Sequence, residues 1–169
     1  MILRRLLALA AVLTLTACAT AQRLDAANDV HALLVAIRDG DRTTFDAHVD
    51  REALKRDFEA RMAKELDRSD VDPRLKELGR LLSPTIANMA GDSLLTPTAF
   101  RQVAEYYGYE PSQPLPGRVA IASSLKPMPD GRVCATRKKD GPCLLIFTET
   151  EGKWRLSGFE GDLSELKGG

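Results

Sequence analysis

The hydrophobic residues in the first half of the chain recur at helical spacing. Between residues 26 and 38 four apolar side chains share one helical face: Val30, Leu33, Leu34 and Ile37. Gly40 then supplies a helix stop, and Asp41 is placed to cap a short second helix that contains Phe45. The pattern predicts two amphipathic helices that each bury one face.

Three further helices are predicted between residues 50 and 108. Asp50 is expected to cap the third, whose apolar residues fall four apart: Leu54, Phe58 and Met62. Asp72 and Pro73 are expected to start the fourth, which would turn five residues inward: Leu75, Leu78, Leu82, Ile86 and Met89. Thr96 and Pro97 repeat that start signal for a fifth helix, which ends at Gly108 and carries these residues on one face: Phe100, Val103, Ala104 and Tyr107.

The last third of the chain has the pattern of β-strands. Three prolines within residues 111–116 make a continued helix untenable, and the alternation over residues 119–125 predicts a first strand. A second strand is expected at 132–137, an apolar and central third at 144–147, and a fourth at 153–159 that places Trp154, Leu156 and Gly158 on one face. The predicted fold class is α+β: N-terminal amphipathic helices pack on one face of a C-terminal four-stranded antiparallel meander.

The first seventeen residues have the organisation of an export signal. Arg4 and Arg5 precede an apolar run from residue 6 to residue 15, and small residues follow. An apolar core of ten residues is about 15 Å long as a helix, half of the roughly 30 Å thickness of a bilayer core. We therefore expect residues 1–17 to act as a cleaved leader and not as a membrane span.

The sequence from Leu15 to Cys18 resembles the lipobox of bacterial lipoproteins, in which a lipid is attached to the cysteine sulfur before the leader is cut. The resemblance implies lipidation of Cys18, fatty acylation such as palmitate, and a periplasm-facing domain anchored to a membrane. The alternative is an ordinary cleaved signal. The residue after Cys18 is Ala19. In the familiar sorting rule an Asp at that position keeps a lipoprotein in the inner membrane, so Ala19 favours the outer membrane.

The length of the remaining chain predicts one domain. Its charge does not have the basic excess that is typical of nucleic-acid-binding proteins. Residues 18–25 are expected to form a lipidated tether, residues 26–162 a single domain and residues 163–169 a tail. Loss of Arg4 and Arg5 with the leader leaves 22 basic and 24 acidic side chains, a formal charge of −2. The expected partners are the membrane and either an envelope protein or a small apolar ligand, not nucleic acid.

Two cysteines remain after Cys18 is assigned to lipid. Cys134 and Cys143 flank a hairpin-turn signal, so their sulfur atoms would lie on neighbouring strands in a compartment that permits disulfides. The alternatives to a disulfide are a pair of free thiols and a metal site. The disulfide is favoured because a zinc site needs more Cys or His ligands than the sequence around these two cysteines contains.

The arrangement of these features resembles a bacterial lipoprotein family catalogued as domain of unknown function DUF2939. The resemblance rests on four short stretches of sequence: residues 27–41, residues 45–54, Leu95 to Pro97, and residues 152–156 around Trp154. It brings no activity, cofactor or catalytic residue. The order of helices and sheet is also loosely similar to cystatin-like and nuclear-transport-factor-like domains, which often enclose a cone-shaped pocket.

Candidate catalytic and metal-binding residues have simpler explanations. Residues 91–94 spell the Gly-Asp-Ser-Leu block of a lipase family, but no histidine follows Ser93 and the expected context is a helix end at Gly91. His31 and His48 lie on different predicted helices and are expected at the surface or on helix flanks. Asp67, Asp70 and Asp72 lack the pattern of a calcium loop. The sequence predicts neither a metal site nor a cofactor.

The remaining candidates are aromatic and basic surface residues. Tyr106, Tyr107 and Tyr109 cluster before the proline-rich connection and are the expected place of a pocket, with core packing as the alternative. Residues 137–139 are expected to form a basic hairpin tip of solvated charge, with contact to anionic lipid or polysaccharide as the alternative. The leading hypothesis is a non-enzymatic binding domain; its rivals are an enzyme that uses carboxylates and tyrosines in a cone-shaped cavity, and a structural interaction module.

Overall fold

A computed structural model describes residues 2–160, with the exception of residues 69, 71, 107 and 138–140. Within that part, the side chains of residues 2–18, 87, 90 and 92 also lie outside the description. The predicted tail at 163–169, the side chain of Cys18 and Tyr107 therefore lie outside the described residues.

Helices occupy the first three quarters of the chain. Six are present in the described residues: α1 (Ile2–Asp39), α2 (Arg42–Ala47), α3 (Arg51–Arg68), α4 (Pro73–Leu94), α5 (Pro97–Tyr106) and α6 (Arg118–Ser123). The predicted caps are confirmed. The carboxylates of Asp41, Asp50 and Asp72 accept hydrogen bonds from the backbone N–H groups that begin α2, α3 and α4, at 3.1, 2.9 and 2.8 Å.

The sheet is the predicted four-stranded antiparallel meander, in the order β1-β2-β3-β4. Its strands are β1 (Leu125–Pro127), β2 (Val133–Thr136), β3 (Cys143–Thr150) and β4 (Lys153–Phe159). β3 is an inner strand, paired with both β2 and β4, as its continuous apolar run predicts. The fold class is α+β.

The predicted first strand over residues 119–125 is wrong. Residues 118–123 form α6, and only Leu125 begins β1. In a helix, residues that are two positions apart point about 200° away from each other around the axis. The alternation that suggests a strand therefore also places Val119 and Ile121 on opposite sides of a helix. Accordingly Val119 is exposed, whereas Ile121 and Ala122 are buried in the core.

The predicted inward face of α4 is also wrong. Leu75, Leu78, Leu82, Ile86 and Met89 are all exposed. α4 instead packs on α3 through small residues, because a Cβ atom at Gly79 would lie 2.9 Å from Leu66 Cδ1 and one at Gly91 would collide with the Lys55 side chain. Ser83, between these glycines, is buried. Close approach of the two helices, and not burial of leucines, sets the orientation of α4.

The core lies between α1 and one face of the sheet. Ala26, Ala27 and Leu33 of α1 are buried, as are Phe147 and Trp154 of the sheet. Two carboxylates of α1 fix β4: Asp25 accepts a hydrogen bond from the Trp154 indole N–H at 2.9 Å, and Asp29 accepts one from the Trp154 backbone N–H at 2.8 Å. α1 therefore serves as the support for the sheet.

The expected tether at residues 18–25 has a different structure. These residues continue α1, and Gln22 donates a hydrogen bond to the carbonyl of Gly131 at 2.9 Å. Because Gln22 and Asp25 both contact the sheet region, the packed part of the chain begins before residue 26. Among the residues that the structure describes, no helix has the length and apolar character needed to cross a bilayer.

Cys134 and Cys143 form the predicted disulfide. Cys134 lies on β2 and Cys143 begins β3, with their Cα atoms 5.6 Å apart. This separation falls within the range that a disulfide spans. The bond closes the hairpin between the two strands.

Candidate functional site

An apolar cavity lies between helices α3, α4 and α5, and the sheet contributes the last residue of β4 to its lining. Its volume is about 280 Å³. Five of the lining residues belong to α3: Leu54, Lys55, Asp57, Phe58 and Arg61. The others come from the end of α4 and its C-cap, from α5 and from β4: Gly91, Leu94, Leu95, Ala99, Phe100, Val103 and Phe159.

The cavity has a fixed floor and an open mouth. Phe100 packs against the fully buried Phe45 with ring centroids 5.2 Å apart in an edge-to-face arrangement, and Leu54 and Leu95 are buried beside it. Phe58, Leu94 and Val103 are 40%, 59% and 53% exposed, so they form the mouth. The walls between floor and mouth are almost entirely apolar.

The elements that enclose the cavity are positioned by short-range signals. Thr96 Oγ1 accepts a hydrogen bond from the Ala99 N–H at 3.2 Å and so starts α5 beside the cavity. Gly91 lets α4 approach the aliphatic stem of Lys55. Asp57 accepts hydrogen bonds from the Phe159 backbone N–H at 3.2 Å and from Arg61 Nε at 2.9 Å, which joins the end of β4 to α3.

Arg51 ties the floor of the cavity to the start of α3. Its guanidinium donates to the carbonyl of Leu95 at 2.7 Å and to Asp46 at 2.6 Å. Burial raises the pKa of the Asp46 carboxyl, but hydrogen bonds from Arg51 and Arg42 more than offset this and hold that pKa below its ordinary value. Asp46 therefore stays ionised and keeps Arg51 in place across the neutral pH range.

The charged groups of the cavity lie at its rim. Lys55 lies 3.9 Å from Glu52, and Arg61 pairs with Asp57. Arg61 is half-exposed, while the Lys55 side chain is mostly covered by its neighbours. Two cations, each within ion-pair distance of a carboxylate, thus lie at the rim of an apolar interior, and such a rim keeps charged groups in contact with water.

The sequence-predicted tyrosine platform does not coincide with this cavity. Tyr106 is 69% exposed at the end of α5. The hydroxyl of Tyr109 is buried and makes no hydrogen bond within the described residues. Neither residue lines the cavity, so the observed pocket and the expected one differ.

The other sequence candidates are held by ordinary structural contacts. α4 continues through residues 91–94, which corrects the expected helix end at Gly91, and Ser93 is exposed. His48 lies on a helix flank, as the C-cap of α2, and is buried there, with Nδ1 2.8 Å from the Thr44 carbonyl and Nε2 3.2 Å from Asp29. His31 is half-buried. Asp67 pairs with Arg80 and Asp72 caps α4.

The described residues contain no group of three or more His, Cys, Asp or Glu side chains placed to hold a metal ion. Cys18 lies in α1. The residues that the sequence analysis missed are the cavity walls on α3, α4 and α5. Their apolar spacing was visible, but it has the same appearance as the spacing of core residues.

The chain matches the model of a protein family over residues 7–103, more than half of its length. The match ends before the sheet, so it covers α1 to most of α5 and not the stretch around Trp154. No curated protein and no solved structure matches the chain. The chain belongs to the family described as "Protein of unknown function (DUF2939)".

Proposed function

We propose that this domain binds a small apolar ligand in the cavity between α3, α4 and α5. The observation that carries the proposal is the apolar wall around about 280 Å³ of space. That volume is close to the lower end of the about 300–1,000 Å³ typical of small-molecule pockets. A ligand of matching shape would remove these apolar walls from contact with water, which is favourable.

The charged residues at the rim of the cavity indicate which class of ligand it would bind. Lys55 and Arg61 supply positive charge beside Leu94 and Phe58, and Asp57 is engaged with Arg61 and a backbone N–H. A ligand with an alkyl or acyl body and a carboxylate or phosphate end would bury its body in the cavity and keep its charged end at the rim. A single-chain amphiphile meets both conditions.

Titration of the purified protein with a single-chain fatty acid, in competition with a fluorescent apolar probe, tests this proposal. Ala99→Leu places three additional carbon atoms into the cavity. At about 0.8 kcal/mol for each methylene displaced, this change is expected to weaken binding by about 2 kcal/mol, roughly thirtyfold in Kd. The matched control is Ala120→Leu, an exposed helical alanine outside the cavity.

Two outcomes contradict the proposal. One is the absence of saturable binding by the unaltered protein. The other is equal weakening by Ala99→Leu and Ala120→Leu, which would place the bound probe elsewhere. Comparison of the fatty acid with the alcohol of the same chain length adds a test of the rim, because the acid is expected to bind several times more tightly.

The geometry favours binding over catalysis. An enzyme of the kind considered from the sequence needs carboxylates and tyrosines that converge in one cavity. In the described lining the carboxylate is Asp57, which is already hydrogen-bonded, and the described tyrosines Tyr106 and Tyr109 lie elsewhere. Turnover that depends on a side chain of this cavity would overturn this part of the proposal.

The proposed location is the cell envelope, with the domain held on a membrane through a lipid on Cys18. Support comes from the leader-like residues 1–17 and the lipobox-like residues 15–18. A lipid anchor and an acyl-binding cavity would place the domain next to a source of its ligand. The periplasm-facing side of the outer membrane is the proposed site.

Cys18→Ser tests the anchor. In fractionated cells the unaltered protein is expected in the membrane fraction, and Cys18→Ser is expected either in the soluble fraction or as an uncut precursor. Ala19→Ser, a change next to the same site that keeps the sulfur, is the matched control and should remain on the membrane. Equal membrane association of Cys18→Ser would contradict lipidation at this residue.

A second candidate function, an interaction module, is favoured by a separate observation. Six exposed apolar residues of α4 lie outside the cavity: Leu75, Leu78, Leu81, Leu82, Ile86 and Met89. Contiguous exposed apolar patches on soluble domains commonly mark contact sites with other proteins. The kind of protein that would bind this surface depends on how the exposed residues are spaced along α4.

A further inference from the structure

The floor of the cavity is closed by residues that belong to the core. Phe100 lines the cavity, and its ring packs edge-to-face on the fully buried Phe45. Leu54 and Leu95 also line the cavity, and both are buried members of the same core. A molecule that enters through the mouth therefore reaches Phe100 and cannot pass it without displacing core residues.

Backbone contacts on both sides of Phe100 fix the position of this floor. The Phe100 N–H donates to the Thr96 carbonyl at 3.0 Å, and the Ala99 N–H donates to Thr96 Oγ1 at 3.2 Å. The next residue, Arg101, donates from its guanidinium to the Arg38 carbonyl at 3.2 Å, which joins α5 to the end of α1. The depth of the cavity is thus set by the fold and not by a freely rotating side chain.

The volume of the cavity limits how much of an alkyl chain it can bury. A methylene group takes about the same space as a water molecule in the liquid, about 30 Å³, so the cavity of about 280 Å³ holds about nine of them. Each methylene that enters is expected to tighten binding about fourfold. Further methylenes would lie at the mouth, between the partly exposed Phe58, Leu94 and Val103, and would gain less.

We propose that the cavity selects its ligand by length: it takes single-chain amphiphiles whose alkyl or acyl body has about nine carbon atoms, and Phe100 sets this limit. The inference rests on the proposed binding function and adds the length of the ligand to it. Shorter chains leave part of the apolar wall in contact with water. Longer chains leave their additional carbon atoms in contact with water at the mouth.

Competition titrations with straight-chain fatty acids test the limit. The series runs from about six to about sixteen carbon atoms, with each acid kept below the concentration at which it aggregates. For the unaltered protein the Kd is expected to fall about fourfold per added methylene up to about nine or ten carbon atoms, and by less than about twofold per methylene beyond that length. A steady fall up to the longest acid would overturn the inference, because no floor would then limit the bound chain.

Two variants are expected to move this levelling point in opposite directions. Phe100→Ala removes the ring that closes the floor and should move the levelling point to chains about three carbon atoms longer. Ala99→Leu adds three carbon atoms inside the cavity and should move it to chains about three carbon atoms shorter. Ala99→Leu leaves the Phe45–Phe100 ring pair in place, so it tests the limit even where circular dichroism shows that Phe100→Ala is unfolded.

Val103→Ala is the matched control, since it shortens an apolar side chain at the mouth, where Val103 is 53% exposed. It should leave the levelling point unchanged. An equal shift in Val103→Ala and Phe100→Ala would overturn the inference, because the limit would then lie at the mouth.

The same titrations separate this inference from the proposed function. Absence of binding at every chain length would contradict both. Saturable binding with the same levelling point in the unaltered protein and in Ala99→Leu would overturn the length limit and leave the binding function standing.

Discussion

Trp154→Ala is expected to lower the free energy of unfolding by about 3–5 kcal/mol, the usual cost of truncating a large buried aromatic residue. Trp154 is 1% exposed, and its ring packs in the core between α1 and the sheet. Its indole N–H also donates to Asp25, so truncation leaves that carboxylate without its donor on β4. Equilibrium urea denaturation, followed by circular dichroism, measures the change.

Trp154→Phe is the matched comparison for this prediction. It keeps an aromatic ring in the core but removes the indole N–H, so we expect a smaller loss, about 1–2 kcal/mol. A loss below about 1 kcal/mol for Trp154→Ala would contradict the account of the core, because a fully buried tryptophan cannot be removed at that cost.

Asp29→Ala is expected to lower the free energy of unfolding by about 2–4 kcal/mol. One carboxylate oxygen of Asp29 accepts the Trp154 backbone N–H at 2.8 Å, and the other lies 3.2 Å from His48 Nε2. The alanine variant leaves a largely buried ring nitrogen and a backbone N–H without this acceptor. The substitution therefore removes a contact that three segments share: α1, the loop that follows α2, and strand β4.

Asp39→Ala is the control, since it removes a carboxylate from the same helix. Asp39 pairs with the neighbouring Arg38, and both side chains are substantially exposed. Because solvent screens this exposed pair, its loss is expected to leave the free energy of unfolding unchanged within the error of the measurement. Equal effects of Asp29→Ala and Asp39→Ala in urea denaturation would show that Asp29 does not join these segments.

Short-range features of the fold could be predicted from the sequence. The caps Asp41, Asp50 and Asp72 act on N–H groups two or three residues away, so their effect needs no knowledge of the rest of the chain. The hairpin turn at Glu151 and Gly152, both with positive φ, is local in the same way. The disulfide followed from the turn signal between its two cysteines.

Features that depend on neighbouring helices could not be predicted in the same way. The leucines of α4 have the pattern of a buried face, but Gly79 and Gly91 allow α3 to occupy a different side. The strand predicted at residues 119–125 became a helix because Ile121 and Ala122 are buried in the core against α1. In both cases tertiary packing decided between alternatives that the local pattern allows.

The position of the cavity also could not be predicted from the local sequence pattern. Leu54, Phe58 and Val103 have ordinary amphipathic spacing, and only the relative placement of α3, α4 and α5 leaves space between them. The tyrosines near residue 107 were the more conspicuous sequence signal. Tyr106 and Tyr109 lie after or at the end of α5, away from the cavity walls. A cluster of one residue type along the sequence is thus a weak guide to where a pocket forms.

Native mass spectrometry of the full chain, purified under gentle conditions from cells that produce it, tests the ligand-binding cavity most directly. We expect the native mass to exceed the denatured mass by that of a bound single-chain amphiphile. This excess should disappear in Ala99→Leu and persist in Ala120→Leu. Identical native and denatured masses for the unaltered protein, or an excess that Ala99→Leu retains, would contradict the proposed function.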